Sequence, residues 1–224
     1  MTAEPTSDTS SGPELSDAQQ ELLIAQRAME RPAASEAADK VAKLASRAPS
    51  DRKARELIAL AARTPRQGKR IRLILEATST WAEPFAKLSP CRQGCDACCH
   101  LPVVITSAEA RALASATGRA MQAPAGALTV RAFTEGADAG QLRDGAQHAG
   151  VPCPFLVDSA CSAYESRPAV CRSHLSLAPT ALLCQVVPGH PVDVPYADAT
   201  MIRAYGLMLM VEEVMADIRD FFPA

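Results

Sequence analysis

Cysteine is absent from the first 90 residues of this 224-residue chain, and all eight cysteines lie between positions 91 and 184. The sequence also lacks an apolar run near the roughly 18 residues that a membrane-spanning helix needs, which argues against a transmembrane protein. Its opening residues contain no basic segment followed by an apolar one, so no secretory signal peptide is predicted. We therefore expect a cytoplasmic protein, in which thiols stay reduced and cysteines are metal ligands rather than disulfides.

Aromatic residues are scarce, at 4% of the chain, and the formal net charge is only −2. A charge this small gives no general reason to expect binding to nucleic acid or to a membrane. One segment, residues 52–72, is rich in arginine and lysine. Binding to single-stranded nucleic acid would require aromatic side chains among these charges, and none is present, so a solvated helix face is the favoured interpretation.

Five potential metal ligands fall within ten residues: Cys91, Cys95, Cys98, Cys99 and His100. Thiolates are strong, soft ligands for zinc and for iron–sulfur clusters, and closely spaced thiols on a turn can converge on one ion. Gly94 allows the positive φ that such a turn needs. Because adjacent side chains diverge in extended backbone, one of Cys98 and Cys99 is expected to serve a second ion, to bridge two ions or to pack as a small buried residue.

The other four cysteines follow at wider spacing: Cys153, Cys161, Cys171 and Cys184. Eight thiols are about twice the number that one tetrahedral zinc ion uses, which predicts either two sites or one multi-iron cluster with spare thiols. Cys184 follows two leucines, so burial in a core is an equal alternative for it. His100 is favoured as a spare ligand, whereas His174 is favoured as a surface or structural residue that can also complete a site with Cys171.

The sequence from Cys91 to Cys99, Cys-Arg-Gln-Gly-Cys-Asp-Ala-Cys-Cys, resembles the opening signature of the YkgJ-type cysteine-cluster family, also called CxxCxxCC. Later segments are similar to the family's remaining motif blocks, in the same order: Cys153-Pro-Phe-Leu, Cys161-Ser-Ala-Tyr-Glu, Arg167-Pro and Cys171-Arg. The resemblance covers about residues 88–185. It implies a bacterial domain that binds zinc or iron, or an iron–sulfur cluster, through all eight cysteines.

Enzymatic functions remain as alternatives. The family includes bacterial lysine N-methylases acting on flagellin, but these resemble longer chains, and no Gly-rich strand–helix turn for S-adenosylmethionine is present here. The first three cysteines have the spacing of the radical S-adenosylmethionine loop, although the following stretch of about 125 residues is short for the large barrel that such enzymes resemble. A hydrolytic zinc site would need an acid/base group, for which Glu165 and His174 are candidates. No catalytic residue is assigned.

Arginines near the cysteines are predicted to offset the negative charge of metal-bound thiolates, because hydrogen bonds around the ligands tune such sites. The candidates are Arg92, Arg167 and Arg172. Arg172 in particular is predicted to contact a cysteine sulfur or a backbone carbonyl of the cysteine loops.

The apolar periodicity predicts an α+β fold that is mostly α-helical. Residues 1–14 are predicted to be a disordered tail, residues 15–88 a helical segment, and residues 89–224 a cysteine-cluster metal-binding domain. In the helical segment, we expect a helix that starts at Ser16 and stops at Pro32, followed by helices over 35–47, 51–63 and up to Ala86. These helices offer a surface for a protein partner, which gives a third function class: a helical interaction protein with structural zinc.

The metal-binding domain is predicted to be rich in loops. We expect a buried strand within residues 101–106, a helix over 108–118, a short hairpin over 155–164 and a helix start at Arg167-Pro168. Apolar residues at steps of three and four over about 198–222 predict a long C-terminal helix. This helix and the N-terminal helical segment are expected to surround the cysteine site.

Overall fold

The computed structural model describes residues 16–45, 49–136, 147–187 and 189–223, and the predicted tail lies outside them. The described helices are, in chain order, α1 (Asp17–Ala45), α2 (Pro49–Ala62), α3 (Gln67–Ala86), α4 (Ser107–Thr117), α5 (Val130–Thr134), α6 (Ala169–Ser173), α7 (Thr200–Met208) and α8 (Ile218–Phe221). The described strands are β1 (Val104–Thr106), β2 (Leu128–Thr129), β3 (Leu156–Val157), β4 (Ala160–Cys161) and β5 (Val214–Asp217). The predicted, mostly helical α+β fold is confirmed. None of these helices is both long and apolar enough to cross a membrane.

Helix α1 continues through Pro32, so the prediction that this proline ends the helix is wrong. A proline inside a helix removes one backbone hydrogen bond, but contacts on both sides of it can hold the helix in place. Glu30 accepts hydrogen bonds from the backbone and the hydroxyl of Thr180, and Ala34 is buried in a cluster with Leu183. Tertiary packing therefore overrides the local signal.

Helix α3 is the central helix of the fold. It packs against α2, α4, α6 and α7. Its buried residues are Ile71, Leu73, Ile74, Ala77, Thr78, Ala82 and Phe85. As predicted, the chain breaks between α2 and α3 at Thr64-Pro65, because the residue before a proline disfavours the helical conformation. The end of α3 delivers the chain directly into the first cysteine group.

Helices α1 and α4 both begin at a capping box. The Ser16 and Gln19 side chains make the reciprocal contacts of a capping box at the start of α1. Thr106 and Glu109 do the same for α4, whose end is marked by Gly118 in the left-handed region at a φ of 71°.

Strand β5 lies between β1 and β2 and pairs antiparallel with both. The predicted long C-terminal helix is therefore wrong, because α7 ends at Met208 and is followed by β5 and the short α8. The apolar pattern was correct in including Met215, Ile218 and Phe222, which are buried, but it did not show which backbone conformation buries them. Without β5, the short strands β1 and β2 would have unpaired backbone groups. Residues of β5 are extended because they supply the hydrogen-bond partners of both strands.

The core next to the cysteines combines distant parts of the chain. Phe221 and Phe222 are buried in one cluster with Ile105, Leu113 and Phe155. The Phe155 and Phe222 rings meet edge to face with centroids 5.0 Å apart. Two cysteines of the second group also pack on this cluster, so the cysteine loops and the C-terminal segment share one core.

Candidate metal centre

The first cysteine group forms a loop directly after α3. Gly94 has a φ of 89°, as predicted, and the Cys95 N–H donates to the Arg92 carbonyl at 3.0 Å. A single 3-10 turn follows, in which the Cys99 N–H donates to the Asp96 carbonyl at 2.8 Å. These short-range hydrogen bonds hold several thiols close together without a regular strand or helix.

The second cysteine group is built on a hairpin and a short helix. Strands β3 and β4 pair antiparallel, and Cys161 is the last residue of β4. Asp158 and Ser159 connect them with φ values of 48° and 56°, which is the two-residue turn that matches the twist of a hairpin. The predicted hairpin is confirmed, and so is the predicted helix start, because α6 follows Pro168 and carries Cys171.

Backbone hydrogen bonds join the two groups. The Cys153 N–H donates to the Cys99 carbonyl at 2.8 Å, and the Gly150 N–H donates to the His100 carbonyl at 2.9 Å. Seven cysteines from both groups line one cavity of about 70 Å³: Cys91, Cys95, Cys98, Cys99, Cys153, Cys161 and Cys171. The structure therefore brings cysteines from both groups to one cavity.

The thiols form two neighbouring sets that meet at Cys98. Electrostatic interactions within the first set join four cysteines: Cys91, Cys95, Cys98 and Cys184. Those within the second set join five: Cys98, Cys99, Cys153, Cys161 and Cys171. Cys184 is close to the first set but is not part of the cavity wall.

Residues 90–186 match the CxxCxxCC family, whose description is "Putative zinc- or iron-chelating domain". This segment is a CxxCxxCC domain. The match confirms the resemblance found in the sequence, and the family description supports metal binding by the domain. No curated protein and no solved structure gave a significant match.

Burial controls the protonation of the thiols in the CxxCxxCC domain. Desolvation raises the pKa of Cys95, Cys153 and Cys171 above the ordinary thiol range. Cys98 differs, because its hydrogen bond with Cys99 lowers the pKa of Cys98 to about 7, while the same bond and burial raise the pKa of Cys99. A buried thiolate requires a nearby positive charge, and a metal ion is the strongest local source of one.

Arg167 stands at the wall of the cysteine cavity. Its guanidinium lies over the Tyr164 ring, with Cζ 3.6 Å from the ring centroid, and its charge interacts favourably with Cys98 and Cys171. Arg92 also lines the cavity. Arg167 is therefore placed to offset thiolate charge, as predicted from the sequence, whereas the same role of Arg92 stays a prediction.

Arg172 fixes the loop that precedes Cys171. It donates from Nε to the Arg167 carbonyl at 2.6 Å and from Nη2 to the Glu165 carbonyl. Its Nη1 donates to the Ser79 hydroxyl at 2.7 Å, which ties this loop to α3. The prediction that Arg172 contacts a carbonyl of the cysteine loops is confirmed.

Arg219, which is not among the arginines predicted to lie near the cysteines, holds both cysteine loops from the C-terminal side. Its side chain is 6% exposed and pairs with Asp217 at 3.0 Å, whose side chain is 3% exposed. The same guanidinium donates to the carbonyls of Cys99 at 3.0 Å, Leu101 at 3.2 Å and Val151 at 3.0 Å. The available signal was a pair of opposite charges two residues apart within an apolar stretch.

The two candidate histidines occupy different environments. Nδ1 of His100, the ligand favoured from sequence, contacts the Gly150 carbonyl at 3.5 Å, and its side chain does not line the cysteine cavity. His174 does line the cavity, with its ring stacked on Tyr196 at a centroid distance of 4.0 Å. Its buried Nε2 atom has no hydrogen-bond partner among the described residues. Burial and, to a lesser extent, Arg203 lower the pKa of His174, which keeps the ring in the neutral, metal-binding form.

Among the residues that the structure describes, no group of three or more His, Cys, Asp or Glu side chains already has the spacing of a metal site. The thiols surround a shared cavity instead of meeting at one point, so a bound ion would have to draw them inward. The donor chemistry nevertheless suits zinc or iron, because it combines soft thiols, a neutral imidazole with an unused nitrogen, and arginines that offset negative charge.

Proposed function

We propose that this protein binds zinc or iron through the cysteines of its CxxCxxCC domain. The observation that supports this most directly is the cavity of about 70 Å³ lined by seven cysteines from both cysteine groups. The proposed ligands come from the eight cysteines: Cys91, Cys95, Cys98, Cys99, Cys153, Cys161, Cys171 and Cys184. An iron–sulfur cluster is one form that bound iron would take with such ligands.

The alternative that the thiols are simply buried core residues fits the surroundings less well. Arg167 stands in the same wall as the seven cysteines, and its positive charge would be unfavourable in a purely apolar core. That charge is favourable beside a metal with several thiolate ligands, since that assembly carries negative charge.

The size of the cysteine cavity favours ion binding over substrate chemistry at the thiols. Small-molecule sites usually enclose roughly 300–1,000 Å³, whereas this cavity has about 70 Å³. A cavity of about 740 Å³ lies between α3 and α4, and Glu165, the acid/base candidate from the sequence, lines that cavity instead. Glu165 is therefore not placed to serve a metal bound among the cysteines.

The test is anaerobic purification of the full chain followed by metal and sulfide analysis and a visible absorption spectrum. We expect a stoichiometric amount of zinc in a colourless protein, or iron with sulfide in a brown one. A Cys95→Ser/Cys171→Ser double variant, which removes one thiol on each side of Cys98, should bind substantially less metal. A folded wild-type chain that takes up neither metal after anaerobic reconstitution would refute the proposal.

A further inference from the structure

We propose that His174, and not Cys184, completes a three-cysteine, one-histidine metal centre with Cys91, Cys95 and Cys98. This inference rests on the proposed metal-binding function and goes further, because it exchanges one of the eight cysteine ligands for an imidazole. Three cysteines with one histidine form an established ligand set for tetrahedral zinc.

The position of the His174 ring is the first argument. The ring is in the wall of the cavity together with Cys91, Cys95 and Cys98. Its Nε2 is buried and without a hydrogen-bond partner among the described residues, which is unfavourable for a polar atom unless another group satisfies it. Stacking against Tyr196, with centroids 4.0 Å apart, fixes the plane of the ring. A metal ion bound at this nitrogen would satisfy it.

The environment of Cys184 is the second argument. Its thiol lies beside the side chains of Ser176 and Tyr196, and the residue is not part of the cavity wall. Ser176 also donates its backbone N–H to the Cys91 sulfur at 3.4 Å, so it lies between the two cysteines. A backbone N–H directed at a sulfur is the usual support for a thiolate that binds a metal. We therefore assign Cys91 to the ligands and Cys184 to the layer of residues that supports them.

Counting donors is the third argument. With His174 in the first centre, the four remaining cavity cysteines form a second centre: Cys99, Cys153, Cys161 and Cys171. Three thiols and one imidazole, plus four thiols, give eight donors, which is the number that two tetrahedral ions use. The arrangement also assigns the adjacent Cys98 and Cys99 to different ions.

The experiment is a zinc titration of metal-free full-length protein, with bound zinc per chain measured after removal of free metal. Wild type should bind two zinc ions. His174→Ala should bind one, while Cys184→Ala and the matched control His100→Ala should still bind two. Loss of a zinc ion in Cys184→Ala, or two zinc ions in a folded His174→Ala, would overturn the assignment of ligands.

Cadmium-113 NMR of the wild-type chain keeps the inference testable if His174→Ala does not fold. Two cadmium signals are expected, of which one is coupled to imidazole ring protons and the other is not. Two signals without imidazole coupling would refute the role of His174 while leaving metal binding by the cysteines intact. A folded wild-type chain that binds no zinc and no cadmium would refute the proposed function itself.

Discussion

Replacing Arg219 with methionine should destabilise the protein strongly, because this guanidinium binds carbonyls of two loops and also pairs with one carboxylate. Arg219 is buried, and so is its partner Asp217. The substitution keeps an apolar side chain of similar length but removes every donor. It leaves the Asp217 carboxylate buried without its cation and leaves the carbonyls of Cys99 and Val151 without one of their donors.

Removing one member of a buried ion pair typically costs about 3–5 kcal/mol, because the remaining charge stays desolvated. Total stability of a domain is usually about 5–15 kcal/mol, so this loss is a large fraction of it. For a chain of this length each kcal/mol lowers the melting midpoint by roughly 2–4 °C. The expected decrease for Arg219→Met is therefore roughly 6–20 °C.

The assay is thermal unfolding followed by circular dichroism, on metal-loaded and on chelator-treated protein. The matched control is Arg131→Met, which removes an arginine that pairs with Glu212 on the surface, where both side chains are more than half exposed. Exposed pairs contribute little, so this control should leave the midpoint almost unchanged. If Arg219→Met lowers the midpoint no more than Arg131→Met does, Arg219 is not the buried clamp on the cysteine loops that we infer.

Metal binding itself gives further predictions. Cys98→Ser should lower the metal content and melt the cysteine loops, because Cys98 lies where the two sets of thiols meet; unchanged metal content and melting midpoint would contradict this. Metal uptake should release protons near neutral pH, since burial raises the pKa of Cys153 and Cys171 and these thiols must ionise to bind. Calorimetry in buffers of different ionisation enthalpy measures the release, and its absence would exclude thiolate ligation. In metal-free protein the same raised pKa values should make stability fall as pH rises above the ordinary thiol range, because the folded state then binds more protons than the unfolded state.

Local signals in the sequence were sufficient for much of the fold. The predicted helix over 108–118 forms as α4, between the capping box of Thr106 with Glu109 and the left-handed Gly118, because capping depends only on residues within a few positions of each other. The hairpin over 155–164, which turns at Asp158-Ser159, was predicted for the same reason. The meeting of the two cysteine groups was also predictable, since ligand chemistry made a shared site the simplest explanation for eight thiols.

The features that were wrong or missed depend on distant parts of the chain. Pro32 is tolerated inside α1 because Glu30 and Ala34 contact residues about 150 positions away. Strand β5 forms because β1 and β2 lie on either side of it, and apolar periodicity alone does not separate a short buried strand from a helix. Arg219 pairs with Asp217, the last residue of that strand, so its role could not be predicted without the strand. The environment of His174 depends on Tyr196, whose ring stacks against it.

The cysteine cavity is built by more of the chain than the segment that matches the family. Helix α3 supplies the hydroxyl that binds Arg172, and the segment after residue 186 supplies Arg219 and Phe222. A metal that binds only to the folded state would stabilise that state, and therefore all of these elements together. Helix α1 also contacts the segment that carries Cys184, so its inward face is occupied. A protein partner of the helical segment, which stays a prediction, would have to use the outward face of α1, where Leu22 and Met29 are exposed.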